Sequence, residues 1–341
     1  MYTFVYKNLN HYYYTVVISN NKMDPLFDWR YYLAKYEDLH GIATEEEALQ
    51  HWNDHGKHES RNGYGVKLFT MVKDEADIVR EWILYHGNLF GYEHLYIVDN
   101  GSTDGTLEII QSFAQTGIHI FHEADYRKKG EVMTALIREH SPRGIAYPID
   151  IDEFVVHYDK TTKTISADKE AIMKYLYSLP ISAVYKTNYI LTGVETSSGY
   201  TNAVLEATCG LYMDWGNWAK SFFTASLFTG TIDHGNHYTT NSYILTELCL
   251  VHYHCRNPTQ MHTKIINNVS GLGYDAKNLQ SLKSLPKDCM GFHHIGSLID
   301  ILEGRYKFPP WNISCSPSTC DSSSDQTIHL TPLSDAMRAL I

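Results

Sequence analysis

The stretch VKLFTMVKDEADIVREWILYHGNLFGYEHLYIVDNGSTDGT, residues 66–106, decides the fold. It opens on VKLFTMV (66–72), an apolar run broken only by Lys67 and Thr70, the pattern of a strand buried on both faces of a parallel sheet. Residues 74–89 then set Ile78, Val79, Trp82, Ile83 and His86 on one helical stripe, and Gly91 supplies the stop. A second buried run, HLYIV (94–98), ends in Asp99, and the polar turn NGSTDG leads into a helix that carries Leu107, Ile110, Phe113 and Ala114 inward. Ser102 or Thr103 is the expected cap of that helix. Beyond Gly117 a third strand is expected at 118–121, a helix at 131–140, and a fourth strand at 145–149 that ends in Asp150. Alternating strands and helices predict a doubly wound α/β sheet whose ligands sit at the carboxyl ends of the strands, where Asp99 and Asp150 both fall.

On the N-terminal side, residues 12–19 (YYYTVVIS) read as a strand. Phe27, Trp29, Tyr32 and Leu33 then recur at helical spacing, with Gly41 as a stop. Thr44 followed by Glu47 forms a capping box for a second helix with Ala48, Leu49 and Trp52 on one face, closing near Gly56. The result is a small helical hairpin, either a packing module or a docking surface. On the C-terminal side the expected elements are a helix at 170–179, strands at 183–191, 221–228 and 243–253, and a helix at 259–269 opened by Pro258. Residues from 309 onward are rich in Ser, Pro and Thr and read as a poorly ordered tail. The expected organisation is therefore a strand plus helical hairpin over 1–64, the α/β domain over 65–308 and a tail over 309–341.

The 341 residues hold 28 Lys+Arg against 39 Asp+Glu, a net charge of −11, and 43% are hydrophobic. That balance argues against nucleic acid as a partner, because phosphates must be met by a basic face. Tyr (26) and His (19) are abundant, which identifies no function by itself. Cys209, Cys249, Cys255, Cys289, Cys315 and Cys320 form no CxxC pair, and their scatter reads as reduced thiols rather than a zinc site. There is no basic n-region with an apolar run behind it and no segment of membrane-spanning length, so the expected location is cytoplasmic, in a host cytoplasm or virion if the protein is viral, and not secreted. The sequons at Asn268 and Asn312 are then fortuitous.

Chemistry concentrates in Asp150-Ile151-Asp152-Glu153-Phe154. If the strand persists, alternation aims Asp150 and Asp152 at the same side, and two converging carboxylates need a positive charge between them. A hard divalent cation, Mg²⁺ or Mn²⁺, meets that need and leaves positions for substrate phosphate oxygens. The competing reading is a solvated acidic strand end, which the apolar flanks Ile149, Ile151 and Phe154 oppose. The turn at 99–106 is neither an EF-hand, since the glycine and ligand offsets are wrong, nor a P-loop, and no GxGxxG follows a strand.

MVKDEADIVREWILYHGNLFGYEHLYIVDNGSTDGT followed by IDIDEF resembles the GT-A fold glycosyltransferases of the family 2 and family 92 type, including giant-virus members. The resemblance is strong over 66–154 and continues weakly to about 264 through WAKSFF (218–223) and VHYHCRNPTQMHTK (251–264). The hairpin FDWRYYLAKYEDL with HWNDHGKHESR is similar to a module that precedes such domains in large DNA viruses. The resemblance implies a Rossmann-like mixed sheet flanked by helices. It implies that Asp99 contacts the uracil or ribose of a nucleotide sugar, with the loop Met71 to Glu75 walling the base and Lys73 and Asp74 as its foremost contacts. Asp150 and Asp152 would be the DxD pair, Asp152 on the metal and Asp150 on metal-bound water or ribose. Arg127, Lys128 and Lys129 are candidate diphosphate contacts, or simply a solvated run. His252 is the expected late histidine of the metal shell, with His254 and His234 as alternatives. Glu195 and then Asp214 are the candidates for the base that deprotonates the acceptor. Trp215, Trp218, Tyr200 and Tyr212 are candidates for stacking on sugar faces, or for the core.

The functional expectation is a metal-dependent, inverting hexosyltransferase-type enzyme that moves a sugar from a nucleotide sugar, UDP-linked, to a saccharide, glycoprotein or glycolipid acceptor. One alternative is a nucleotidyltransferase making sugar nucleotides, although MVKDEADI lacks the Gly-rich basic opening such enzymes carry. The other is a non-catalytic carbohydrate-binding protein that keeps the fold.

Overall fold

In a computed structural model, the structure describes residues 2–7, 13–18, 24–194, 198–214, 216, 219–238, 240, 242–308 and 327–341. The chain divides into two compact units, residues 1–64 and 65–341.

In the first unit β1 (Tyr2–Lys7) and β2 (Tyr13–Ile18) form an antiparallel hairpin. Helix α1 (Trp29–Lys35) is capped by Asp28, whose carboxylate accepts from the Arg30 and Tyr31 amides. Helix α2 (Glu45–His51) carries the capping box read from the sequence, with Thr44 and Glu47 satisfying each other's backbone amides. It runs on into one wider turn, Trp52–Gly56. Phe27, Tyr32, Leu39 and Ala48 form the buried core of the two helices, Phe27 stacks on Trp52, and the Tyr32 hydroxyl is paired with His51 Nδ1 at 2.9 Å.

The second unit is built on one mixed sheet. Its elements are β3 (Val66–Val72), α3 (Val79–Phe90), β4 (Leu95–Asp99), α4 (Thr106–Ser112), β5 (His119–His122), α5 (Lys129–His140), β6 (Ile145–Pro148), β7 (Glu153–Asp159) and β8 (Thr164–Ser166). They continue with α6 (Lys169–Ser178), β9 (Val184–Thr192), α7 (Ala203–Glu206), β10 (Cys209–Met213), β11 (Lys220–Thr224), β12 (Ile244–His252), α8 (Pro258–Gly271), α9 (Leu279–Lys283), α10 (Phe292–Leu302), β13 (Thr327–His329) and α11 (Thr331–Arg338). The sheet runs β5-β4-β3-β6-β11-β9-β12-β7-β8. The first four strands are parallel, and β3, β4 and β6 are the buried, mainly apolar ones expected of such a sheet. β11 then joins antiparallel to both β6 and β9, which makes the sheet mixed rather than doubly wound throughout.

The core on one face joins Phe69, Val98, Met133, Ile137 and Phe223, while Met261, Ile265, Ile295 and Leu298 pack α8 against α10. Under α3, His86 is fully buried, its Nε2 accepting from the Val155 amide at 3.3 Å, and the Tyr85 hydroxyl donates to the Val155 carbonyl at 2.7 Å. Burial drives the His86 pKa down to about 3, so the ring is neutral.

Four expectations change. Helix α3 starts at Val79 and not at 74, because residues 74–76 spend their amides on Ser102, Thr106 and Asp104, side chains of the neighbouring turn. The cap of α4 is neither Ser102 nor Thr103: Gly105 takes the position at φ +98°, and Asp104 accepts from the Thr106 amide. Residues 327–341 are no frayed tail, since β13 pairs antiparallel with β10 and α11 buries Leu333 and Met337. The rest of that tail, 309–326, lies outside the described residues. Finally, Cys209 is disulfide-bonded, with its partner outside the described residues, whereas Cys249, Cys255 and Cys289 are free. Separation in sequence carried no information about approach in space. No helix among the described residues is long and apolar enough to cross a membrane.

Candidate functional site

The carboxyl ends of β3, β4 and β6 open on a cavity of about 400 Å³ whose walls also come from β11, β12, α8 and the start of α10. Strand β6 ends at Pro148, so residues 149–152 form a turn in which Ile149 and Ile151 are buried anchors. Asp150 and Asp152 are therefore not alternate residues of one strand aimed at one point. Each faces a separate group of cations.

Asp150 lies between two buried ammonium groups, Lys129 Nζ at 2.8 Å and Lys220 Nζ at 2.7 Å, and accepts from Asn236 Nδ2 at 3.0 Å. Burial opposes its ionisation, but the two lysines outweigh it and hold the carboxyl well below the usual range. Glu153, fully buried, accepts from the Asp150 amide at 2.8 Å and stands 3.4 Å from Lys220. Asp152 is 2% exposed and sits on the other side, against Lys264 Nζ, with His252 Nε2 at 3.4 Å and Arg256 Nη1 at 3.8 Å. There too burial raises the pKa, and Lys264, His252 and Arg256 carry it well below the normal value.

Behind Asp152 lies a buried ion network. The Arg256 guanidinium, 1% exposed, holds Asp77 with two bonds of 2.8 and 2.9 Å, touches Glu75, and donates to the Tyr253 carbonyl at 2.9 Å. Lys264 is also 3.6 Å from Glu75 Oε1. Burial pushes Glu75 upward, against Arg256 and Lys264. The 73–77 loop is thus tied to the segment after β12 by charge. Lys73, Lys129, Lys220 and Lys264 line the cavity together with Glu75, Asp150, Asp152 and Glu153, so its wall is formally neutral.

A divalent cation is tested by the donor set. One carboxylate oxygen of Asp152 and one ring nitrogen each of His252 and His254 lie within 4.8 Å of one another. His252 Nδ1 is buried and has no hydrogen-bond partner among the described residues. Two imidazoles and a carboxylate fit Mn²⁺ better than Mg²⁺, which prefers oxygen alone. Asp150, expected as a second metal ligand, is outside this group; its oxygens lie against Lys129, Lys220 and Asn236.

Several other candidates occupy different places from those expected. Asp99 is 1% exposed and accepts from the Gly101 and Ser102 amides, with His122 Nδ1 at 3.3 Å; the residue that reaches the cavity is its neighbour Asn100. Asp74, at φ +52°, binds the Thr103 amide and Asn267 Nδ2, so it braces the loop, while Lys73 lines the cavity. Lys128 is mostly exposed, 3.9 Å from Glu123, and does not line the cavity, and Arg127 pairs with Asp125; of that basic run only Lys129 reaches in. His234 lines the cavity with its ring on the Arg127 carbonyl. Asp214 accepts from the Gly216 amide at 3.1 Å away from the cavity. Tyr200 donates to the Gly193 carbonyl and Tyr212 stacks on Tyr158, neither at the cavity. Glu195, Trp215 and Trp218 lie outside the described residues.

Sequence reasoning did not single out Glu75, Lys220, Arg256 or Lys264. For Lys220 a signal existed: a charged residue set in the short run AKSFF (219–223), ahead of Phe222 and Phe223, has to be paired once buried. Arg256 and Lys264 lie inside the quoted segment 251–264, but their acidic partners are more than a hundred residues away, so sequence reasoning assigned them no role.

Comparison with known proteins points the same way as the motifs. A glycosyltransferase family 92 protein of Oryza sativa subsp. japonica is 29% identical over 116 residues, 33% of this chain. The match spans only 19% of the rice protein. No family model matches the chain. Among solved structures, S. aureus TarS 1-349 is 11% identical, covers 71% of each chain and gives a TM-score of 0.35. Glucosyl-3-phosphoglycerate synthase from Mycobacterium tuberculosis, in complex with Mn²⁺ and UDP-glucose, is 15% identical over 37% of this chain and 43% of its own, with a TM-score of 0.26. Neither structural likeness is close enough to carry an argument about this site.

Proposed function

We propose that this protein is a Mn²⁺-dependent, inverting glycosyltransferase that transfers a sugar from a UDP-sugar to a hydroxyl of a saccharide or glycoconjugate. One observation carries the reading: Asp152, His252 and His254 converge in a cavity whose four lysines and four carboxylates cancel. The diphosphate of a nucleotide sugar entering alone would bring about two uncompensated negative charges into such a wall, and a divalent cation entering with it restores neutrality. The short resemblance to a family 92 glycosyltransferase supports the same class.

Asp152, His252 and His254 would hold the cation, which when bound neutralises charge on the departing diphosphate. Asn100 and Lys73, at the β4 and β3 ends, would face the nucleoside. Asp150, fixed by Lys129, Lys220 and Asn236, keeps its carboxylate ionised and oriented toward a ribose hydroxyl, so no reorganisation is needed when donor binds. The ion network of Arg256 with Glu75 and Asp77 holds the 73–77 loop in the shape that forms the cavity wall. Removal of the acceptor proton falls to a carboxylate outside these pairs. Glu195 remains the candidate, because Asp214 is turned to its own loop.

The test is donor hydrolysis across a panel of UDP-sugars with Mn²⁺, followed by NMR of the anomeric configuration of the transfer product. UDP release from one sugar and an inverted product support the reading. Release of pyrophosphate from a nucleoside triphosphate and a sugar phosphate would show the nucleotidyltransferase instead, and no turnover with any nucleotide would leave a carbohydrate-binding protein.

A further inference from the structure

Lys264 stands where a bound cation would otherwise act. Its ammonium is hydrogen-bonded to Asp152 Oδ2, the same carboxylate that groups with His252 and His254. The lysine is 15% exposed and comes from α8, which Pro258 and the Asn257 cap start immediately after the Arg256 network. It has a second seat within reach, Glu75 Oε1 at 3.6 Å. Glu75 already touches Arg256 through its other oxygen, Oε2, so Oε1 faces Lys264.

We propose that Lys264 is a tethered counter-cation of the metal site: it pairs with Asp152 while the site lacks a divalent ion and passes to Glu75 when one is bound. The inference rests on the metal reading of Asp152, His252 and His254. It assigns Lys264 and Glu75 a role as positioning residues that set metal affinity without ligating the metal. The physical reason is that a buried carboxylate as enclosed as Asp152 cannot be left unpaired, so the site needs a positive charge in both states. A lysine fixed between two carboxylates supplies it in one state and yields it in the other without leaving either acid bare, since Arg256 lies beside both. The cost of this arrangement is competition: binding a cation at Asp152 requires one charge-assisted hydrogen bond to be given up. Such a bond corresponds to about ten- to a hundredfold in affinity. The site is thereby kept neutral at low metal and filled only once metal exceeds that threshold.

The experiment is calorimetric titration of the full chain with MnCl₂ alone, with free Mn²⁺ followed by EPR as a second readout, in wild type, Lys264→Met, Lys264→Arg, Glu75→Gln, the Lys264→Met/Glu75→Gln double variant and Asp152→Asn. The expected result is that Lys264→Met binds Mn²⁺ about ten- to a hundredfold more tightly than wild type, and Lys264→Arg does not. Glu75→Gln weakens binding in wild type, where it removes the second seat, and has no effect in the Lys264→Met background. Equal or weaker Mn²⁺ binding by Lys264→Met, in a variant whose circular dichroism matches wild type, overturns the inference. So does an effect of Glu75→Gln that is the same in both backgrounds. If Asp152→Asn binds Mn²⁺ as wild type does, the metal reading itself fails; if Asp152→Asn loses binding while Lys264→Met is unchanged, that reading stands and only the counter-cation role falls.

Discussion

Replacing Arg256 by Met should cost the second unit about 3–5 kcal/mol of unfolding free energy. The guanidinium is 1% exposed and bonded to Asp77 through two of its nitrogens, to Glu75, and to the Tyr253 carbonyl. Methionine keeps most of the volume, so the loss is electrostatic rather than a cavity. It leaves Glu75 and Asp77 short of their main cation, and truncating one partner of a buried pair is far costlier than the pair's net worth. For a unit of this size the penalty corresponds to a fall in melting temperature of about 6–20 °C. Lysine at 256 should recover only part of it, because an ammonium cannot reproduce the fork that grips Asp77. Adding Glu75→Gln and Asp77→Asn to Arg256→Met should return much of the loss by removing the stranded charges. The deficit should also be smaller at pH 5 than at pH 8. Without Arg256 the Glu75 pKa rises further above its unfolded value, so the folded state takes up a proton as pH falls and stability is lost as pH rises. The assay is equilibrium unfolding in urea, followed by circular dichroism at both pH values. A cost below about 1 kcal/mol, or no gain from the compensating amides, would refute the view that this network fixes the 73–77 loop.

Two further outcomes follow from the site and from the core. Asp152→Asn should abolish measurable Mn²⁺ binding, whereas Asp150→Asn should leave it within about threefold of wild type, since Asp150 faces Lys129 and Lys220; equal loss in both variants would restore the paired-carboxylate site. His86 is neutral in the fold, with its pKa pushed down to about 3 by burial. Only the unfolded chain takes up its proton between the ordinary histidine value of about 6.5 and that depressed value, so stability falls by about 1.4 kcal/mol per pH unit below 6.5. His86→Gln should flatten the pH dependence of urea stability by one proton between pH 6.5 and 4.5, and superimposable slopes would contradict it.

The parallel half of the sheet was legible because burial on both faces writes a mainly apolar run, and β3, β4 and β6 each have one. Helix stops were legible where backbone geometry demanded glycine, as at Gly91 with φ +103°. The start of α3 was not, because its first turn is replaced by long-range bonds from residues 74–76 to the 102–106 turn, which no periodicity reveals. The final strand and helix were missed for a related reason. β13 is only three residues long, and its place is set by the edge of β10 and not by its own pattern.

At the site, the sequence pointed to Asp150, Asp152 and His252, with His254 only as an alternative to His252, and could not say that Asp152 groups with both histidines while Asp150 stands apart. That division depends on cations brought from 21 to 112 residues away, Lys129 and Lys220 to Asp150 and Lys264 to Asp152. Asp99 illustrates the opposite error. A carboxylate at a strand end looks available for a ligand, yet its oxygens are taken by the amides of the turn that follows. The neighbour Asn100 lines the cavity instead, although it too is tied down, its Nδ2 donating to the Glu123 carbonyl.

The central claim is that this cavity takes a nucleoside diphosphate together with a divalent cation held by Asp152. Calorimetric titration of the protein with UDP, GDP and CMP, each with and without Mn²⁺, in wild type and Asp152→Ala, tests it most directly. The account predicts that UDP binds with Mn²⁺, far more weakly without it, and in neither case to Asp152→Ala with the metal-dependent gain. Nucleotide binding that is indifferent to Mn²⁺, or a metal-dependent gain that survives in Asp152→Ala, would contradict it.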